Sequence, residues 1–135
     1  MVDILFYEKP GCINNTKQKK LLVQAGHRVT AYNLLTEPWT KASLRVFFEG
    51  LAVPDWFNKA APQVKSGDID PQSLSEEEAL AAMLADPLLI RRPLMKAGPE
   101  RRVGFDAQKI QDWVGLKALP SEDLESCPRT STEKC

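Results

Sequence analysis

One stretch limits the folds open to this chain more than any other: VDILFYEKPGCINNTKQKKLLVQAGHRVTAYNL, residues 2–34. DILFY (3–7) is a short apolar run bounded by EKPG and reads as a buried strand. From Asn14 to about Ala25 the chain is polar and lysine-rich on one side. Ile13, Leu21, Leu22 and Ala25 can share another side, and Gly26 supplies a helix stop. HRVTAYNL (27–34) alternates as a second strand. Strand, helix and strand within some 30 residues make a βαβ unit, whose strands run parallel.

The rest of the chain supplies the partners of that unit. Thr40 is a candidate N-cap for a helix whose apolar positions are Leu44, Phe47, Phe48 and Leu51. Residues 53–72 are broken by prolines and a glycine, and the reading there is one short helix from Pro54 to Lys59, then loop. Ser75 and Glu78 form a capping box on a helix with the stripe Leu80, Met83 and Leu84, ended by Asp86–Pro87. Leu94–Ala97 and Arg101–Phe105 flank the turn GPE as a hairpin. Asp106 caps a last helix that turns Ile110, Trp113 and Val114 inward. From Lys117 on, apolar residues thin out among Pro, Ser, Thr and charges, so 117–135 reads as a flexible tail. The sum is α/β: a thioredoxin-like mixed four-stranded sheet, a βαβ half plus hairpin and closing helix, in one domain over residues 1–116.

Charge and cysteines narrow the function classes. Lys plus Arg number 18 and Asp plus Glu 18, a balance that argues against a dedicated nucleic-acid binder. The longest apolar runs fall well short of the ~18 residues of a membrane span, and a basic segment leading into an apolar one is missing at the N-terminus. Cys12, Cys127 and Cys135 are an odd, sparse set, a poor disulfide framework that fits a cytoplasmic, reducing setting. No pair has C-x2–4-C spacing, so no metal site is expected.

Cys12 sits where the strand hands over to the helix. A helix start carries N–H groups without intrahelical partners and the positive end of the dipole. Such a place stabilises a thiolate or cradles an oxyanion. Lys9 adds positive charge, Glu8 opposes it, and Pro10 and Gly11 shape the turn. Position alone leaves open a small buried hydrophobe or a working thiol.

FYEKPGCINNTKQKKLLVQAG together with LLIRRPLMKAG resembles the glutaredoxin-coupled arsenate reductase family, nearest the subgroup of nitrogenase-associated proteins, over about residues 3–116. The resemblance implies a thioredoxin-like fold with an inserted helical subdomain at about 38–86 and a cis peptide before Pro93. In active members a cysteine attacks arsenate and three arginines hold the oxyanion. The cysteine maps onto Cys12, and the arginine before the proline onto Arg92, whose fork suits a tetrahedral anion. The resemblance also implies glutathione as co-substrate and glutaredoxin as partner, with no bound cofactor.

The departures from the family pattern are as informative. The second arginine falls at Asn58 and the third at about Gly104. Arg101 and Arg102 stand nearby, but a one-residue shift along a strand turns a side chain to the opposite face. The family's histidine falls at Glu8, a charge that disfavours a thiolate. Its small hydroxyl residue falls at Asn15, still a hydrogen-bond donor, and the second cysteine of the related redox regulators is missing there. The expected site is therefore Cys12 and Arg92 as the reacting pair, with Asn15, Asn14 and Lys9 on the anion side. The incomplete clamp argues against arsenate turnover. The expected function is an arsenate-reductase-like thiol-redox protein, tied through the subgroup to nitrogen fixation. The alternative is a non-enzymatic protein that keeps the fold and binds a protein partner of unknown identity.

Other residues carry blander expectations. His27 reads as a solvent-facing strand-start residue, and Trp39, Trp56 and Phe57 as core rather than a binding ledge. Arg91 reads as a surface charge. Cys127 reads as inert rather than as a resolving thiol, and RTSTEKC is no lipidation signal.

Overall fold

The computed structural model describes residues 2–116. The expected tail, with Cys127 and Cys135, lies outside the described residues. Four strands, β1 (Asp3–Glu8), β2 (Arg28–Asn33), β3 (Leu94–Ala97) and β4 (Glu100–Val103), form one sheet in the order β2-β1-β3-β4. β1 runs parallel to β2 and antiparallel to β3, and β3 is antiparallel to β4. This is the thioredoxin-like plan.

Period-two alternation divides the core between the two faces of the sheet. Ile4, Phe6, Met95 and Ala97 face one side, where they pack with Leu22 of α1 (Ile13–Gln24) and Ile110 of the last helix. Leu94 lies on the other face, with Tyr7 and Val103 beside it, under the segment between β2 and β3. That segment contributes Leu44, Phe47, Phe48, Trp56, Phe57, Leu80, Met83 and Leu89, all buried. Phe48 stacks on Trp56 at 4.8 Å, and the Trp56 indole donates to Leu51 O. Trp39 is half-buried against the same cluster.

Local chemistry explains most boundaries. α1 ends in a Schellman arrangement: Gly26, at φ +94°, donates to Val23 O, and the His27 N–H to Leu22 O. Thr40 and Ser43 cap α2 (Lys41–Arg45) reciprocally, and the chain then tightens into a 3-10 turn at Val46–Phe48. Ser75 and Glu78 do the same for α4 (Glu76–Ala85). Asp106 accepts from Gln108 and Lys109 N–H at the start of α5 (Ala107–Trp113).

Four expectations need correction. The short helix at Pro54–Lys59 is instead a 3-10 turn at Val53–Trp56, and α3 (Pro62–Lys65) and a 3-10 turn at Pro71–Ser73 follow. Each begins with proline in its first turn, where a missing N–H costs nothing, so these prolines start helical turns instead of breaking them. Second, β4 begins at Glu100, one residue before the expected Arg101, and ends at Val103. Gly104 leaves the sheet at φ +78° and donates to Pro93 O at 2.9 Å.

The third correction concerns the inward face of α1. It is Asn14, Asn15, Gln18 and Leu22, and of the expected apolar set only Leu22 is fully buried. The fourth is His27, which is 6% exposed rather than solvent-facing. Its Nδ1 accepts the Val2 N–H at 3.2 Å, which leaves Nε2 to donate to Gly115 O at 2.8 Å. The ring thus ties the approach to β1 to the end of α5.

Candidate functional site

The turn that carries Cys12 is built by its sequence. Cys12 N–H donates to Lys9 O at 3.1 Å, closing a four-residue turn with Pro10 second and Gly11 third. Gly11 has φ +83°, the left-handed value that a type II turn needs at its third position, and proline suits the second. Cys12 then takes extended geometry (φ −71°, ψ 123°) as the N-cap of α1. Its carbonyl accepts from Thr16 N–H at 3.1 Å and Thr16 Oγ1 at 3.0 Å. Its side chain makes no capping hydrogen bond. The thiol is unbridged, and the residue is 3% exposed.

Polar side chains of α1 hold that turn from below. Asn15 Oδ1 accepts the Lys9 N–H at 3.1 Å, and Asn15 Nδ2 donates to Gln18 Oε1 at 2.8 Å. The Lys9 peptide is therefore fixed at both ends, by Asn15 on its N–H and by Cys12 on its C=O. Burying Asn15 and Gln18 is tolerable because their amides satisfy one another and the turn. Asn14 is also buried, at 3% exposed, and Lys9 is half-buried.

Glu8 ends β1 with its side chain under α1. Lys19 Nζ lies 2.8 Å from Glu8 Oε2, and the two side chains are 29% and 11% exposed. The opposing charge expected of Glu8 thus meets a cation on α1. A signal was available: Asn15, Gln18, Lys19 and Leu22 fall at i, i+3, i+4 and i+7 of one helical face. The template usually sought for apolar residues is here filled mostly by polar ones.

The Tyr7↔Leu94 pairing puts the Arg92–Pro93 peptide at the end of β1 from which the cysteine turn springs. That peptide is cis. Arg92 is half-exposed. Arg91 is directed to the helical segment instead, with its guanidinium donating to Asp55 O and its N–H to Trp56 O.

The other two clamp positions are spent on structure. Asn58 Nδ2 donates to Leu88 O at 3.2 Å and Oδ1 accepts the Ala60 N–H at 3.1 Å, which staples two stretches of the helical segment together. Gly104 holds a left-handed conformation that disfavours any other residue. Neither neighbouring arginine fills in. Arg101 lies 5.9 Å from the Phe47 ring on one face, and Arg102 lies 4.9 Å from the Trp113 ring on the other.

Tyr7, next to Glu8 but facing the opposite side, joins an aromatic group with Tyr32, Trp39 and Phe47 at centroid distances of 5.0–5.7 Å. Its phenol is pushed above the ordinary tyrosine range by burial, then by the charges of Glu37 and Tyr32, with Arg101 pulling the other way.

Comparison with known proteins agrees with this fold. The ArsC family matches over residues 7–113. An uncharacterized 15.7 kDa protein in the draG 3′ region of Rhodospirillum rubrum is 50% identical over 98% of this chain and 92% of its own length. An arsenate reductase of Rhizobium meliloti is 33% identical over 81% of this chain and 79% of its own. Among solved structures, an ArsC family related protein from Bacteroides fragilis superposes with a TM-score of 0.71 at 24% identity, covering 82% of this chain and 97% of that one. With most of its length matched, from the end of β1 through α5, the chain belongs to the ArsC family.

Proposed function

We propose that the protein is a thiol-redox member of its family in which Cys12 exchanges disulfides with glutathione, while oxyanion reduction is lost or residual. One observation carries this reading: Cys12 occupies the N-cap of α1 on a Pro-Gly turn, and its thiol is not consumed in capping. The Cys12 thiolate attacks one sulfur of glutathione disulfide, the S–S bond breaks, and a glutathione thiolate leaves. A glutaredoxin thiolate then attacks the glutathione sulfur and releases Cys12. Arg92, beside the turn, supplies positive charge for the thiolate or a carboxylate of glutathione. Lys9 stands on the anion side, while Asn14 and Asn15 are buried behind it, Asn15 acting through its bond to the Lys9 N–H. The loss of two charge-assisted donors, at about 1.5–3 kcal/mol each, weakens arsenate binding by several kcal/mol. Resemblance to the nitrogenase-associated subgroup and the 50% identity to the draG-region protein support use in nitrogen-fixing metabolism.

The alternative is a non-enzymatic protein that keeps the fold and binds a protein partner; the burial of Cys12, at 3% exposure, weighs against the thiol-redox reading without pointing to a partner. Assaying arsenate-dependent glutathione oxidation with glutaredoxin, in parallel with mass analysis after glutathione disulfide, separates the readings. The thiol-redox reading expects one glutathione on Cys12 and little arsenate turnover. A protein that takes no glutathione on Cys12, yet retains a partner equally well as Cys12→Ser, is a binding module.

A further inference from the structure

Glu8 is an awkward neighbour for a working thiol. It is covalently joined to Lys9, whose carbonyl holds the Cys12 N–H. It is 8% exposed, so water screens its charge poorly. An unneutralised carboxylate there raises the energy of a Cys12 thiolate. Lys19 answers it from eleven residues away, with Nζ 2.8 Å from Oε2. The same helical stripe carries Asn15, which fixes the Lys9 N–H, and Gln18, which fixes Asn15. One face of α1 therefore holds the Lys9 N–H of the turn, through Asn15, and the Glu8 carboxylate four residues before Cys12, through Lys19.

We propose that Lys19 is a positioning residue for Cys12: by pairing with Glu8 it cancels the negative charge under the cysteine turn and keeps the thiol reactive. This rests on reading Cys12 as a working thiol. An ordinary structural ion pair would contribute to stability but leave the thiol's reactivity alone once the fold is intact.

The test is the alkylation rate of Cys12 by iodoacetamide at neutral pH, with Cys127→Ser and Cys135→Ser in the background so that one thiol is read. Circular dichroism checks that each variant is folded. Lys19→Met should slow the reaction at least about threefold, the scale of one uncompensated charge at short range. Lys19→Arg should restore most of the rate. Glu8→Gln combined with Lys19→Met should return the rate to wild type or above, because the charge that Lys19 cancels is gone. Equal rates in wild type and Lys19→Met overturn the proposal while Cys12 stays a reactive thiol. A double variant as slow as Lys19→Met also overturns it, because the loss is then structural. A Cys12 that resists alkylation in the folded wild type overturns this proposal and the thiol-redox reading together.

Discussion

Asn15 holds Lys9 by its main chain: the side-chain oxygen of Asn15 accepts the Lys9 N–H at 3.1 Å across the Pro-Gly pair. A residue of the helix thereby fixes the turn that delivers the helix's own N-cap. Asn15→Ala strips the Lys9 N–H and the Gln18 amide of a partner in a buried place. It should cost about 1–3 kcal/mol in urea unfolding. It should also speed the reaction of Cys12 with a bulky disulfide reagent, because the turn that covers the thiol is loosened. Unchanged stability with unchanged access would show that the turn holds itself.

Rebuilding the anion clamp by sequence analogy should fail. Arg at 104 must adopt φ near +78°, and Arg at 58 abandons the bonds to Leu88 and Ala60. Asn58→Arg with Gly104→Arg should lose about 2–4 kcal/mol of stability and gain no arsenate reduction. Turnover in that double variant would mean the site tolerates the clamp it lacks.

His27 is placed to act as a clasp between the approach to β1 and the end of α5. Nitrogen NMR of the chain's single histidine should show the Nε2–H tautomer, since Nδ1 must accept from Val2. His27→Ala should destabilise the protein by about 1–3 kcal/mol. An Nδ1–H tautomer in the folded protein would contradict the arrangement.

Tyr7 sets an alkaline limit. Burial is the main cause of its raised ionisation, with Glu37 and Tyr32 adding to it and Arg101 opposing. A group whose folded value is raised gives stability that is complete below its unfolded value, about 10 for tyrosine. That stability is lost as pH rises through the folded value. In a Tyr32→Phe background, phenolate absorbance should show Glu37→Gln lowering the Tyr7 midpoint and Arg101→Met raising it. Shifts in the opposite sense would remove both residues from its surroundings.

Where the sequence was legible, a local rule had only one reading. Pro10–Gly11 demanded a turn, Ser75–Glu78 a capping box, and the apolar DILFY run a buried strand, and each is found. The inward face of α1 escapes an apolar periodicity, because Asn14, Asn15 and Gln18 are buried there and Asn15 and Gln18 bond to each other. The turns begun by Pro62 and Pro71 escape a reading that takes proline as a breaker, because proline's missing N–H is harmless at a helix start, and the turn at Pro54 is shorter than the helix expected there. At the site, Cys12 and its helix start were visible in the sequence. Lys19 is legible only as part of the helical face it shares with Asn15, Gln18 and Leu22; its pairing with Glu8 exists only once β1 and α1 pack.

The account stands on Cys12 being a working thiol despite its burial. Its most direct test is peptide-resolved mass spectrometry of the folded full chain after brief exposure to glutathione disulfide. The account predicts glutathione on Cys12, removed on adding a glutaredoxin, and none at that position in Cys12→Ser. Glutathione found on Cys127 and Cys135 while Cys12 stays unmodified would contradict it.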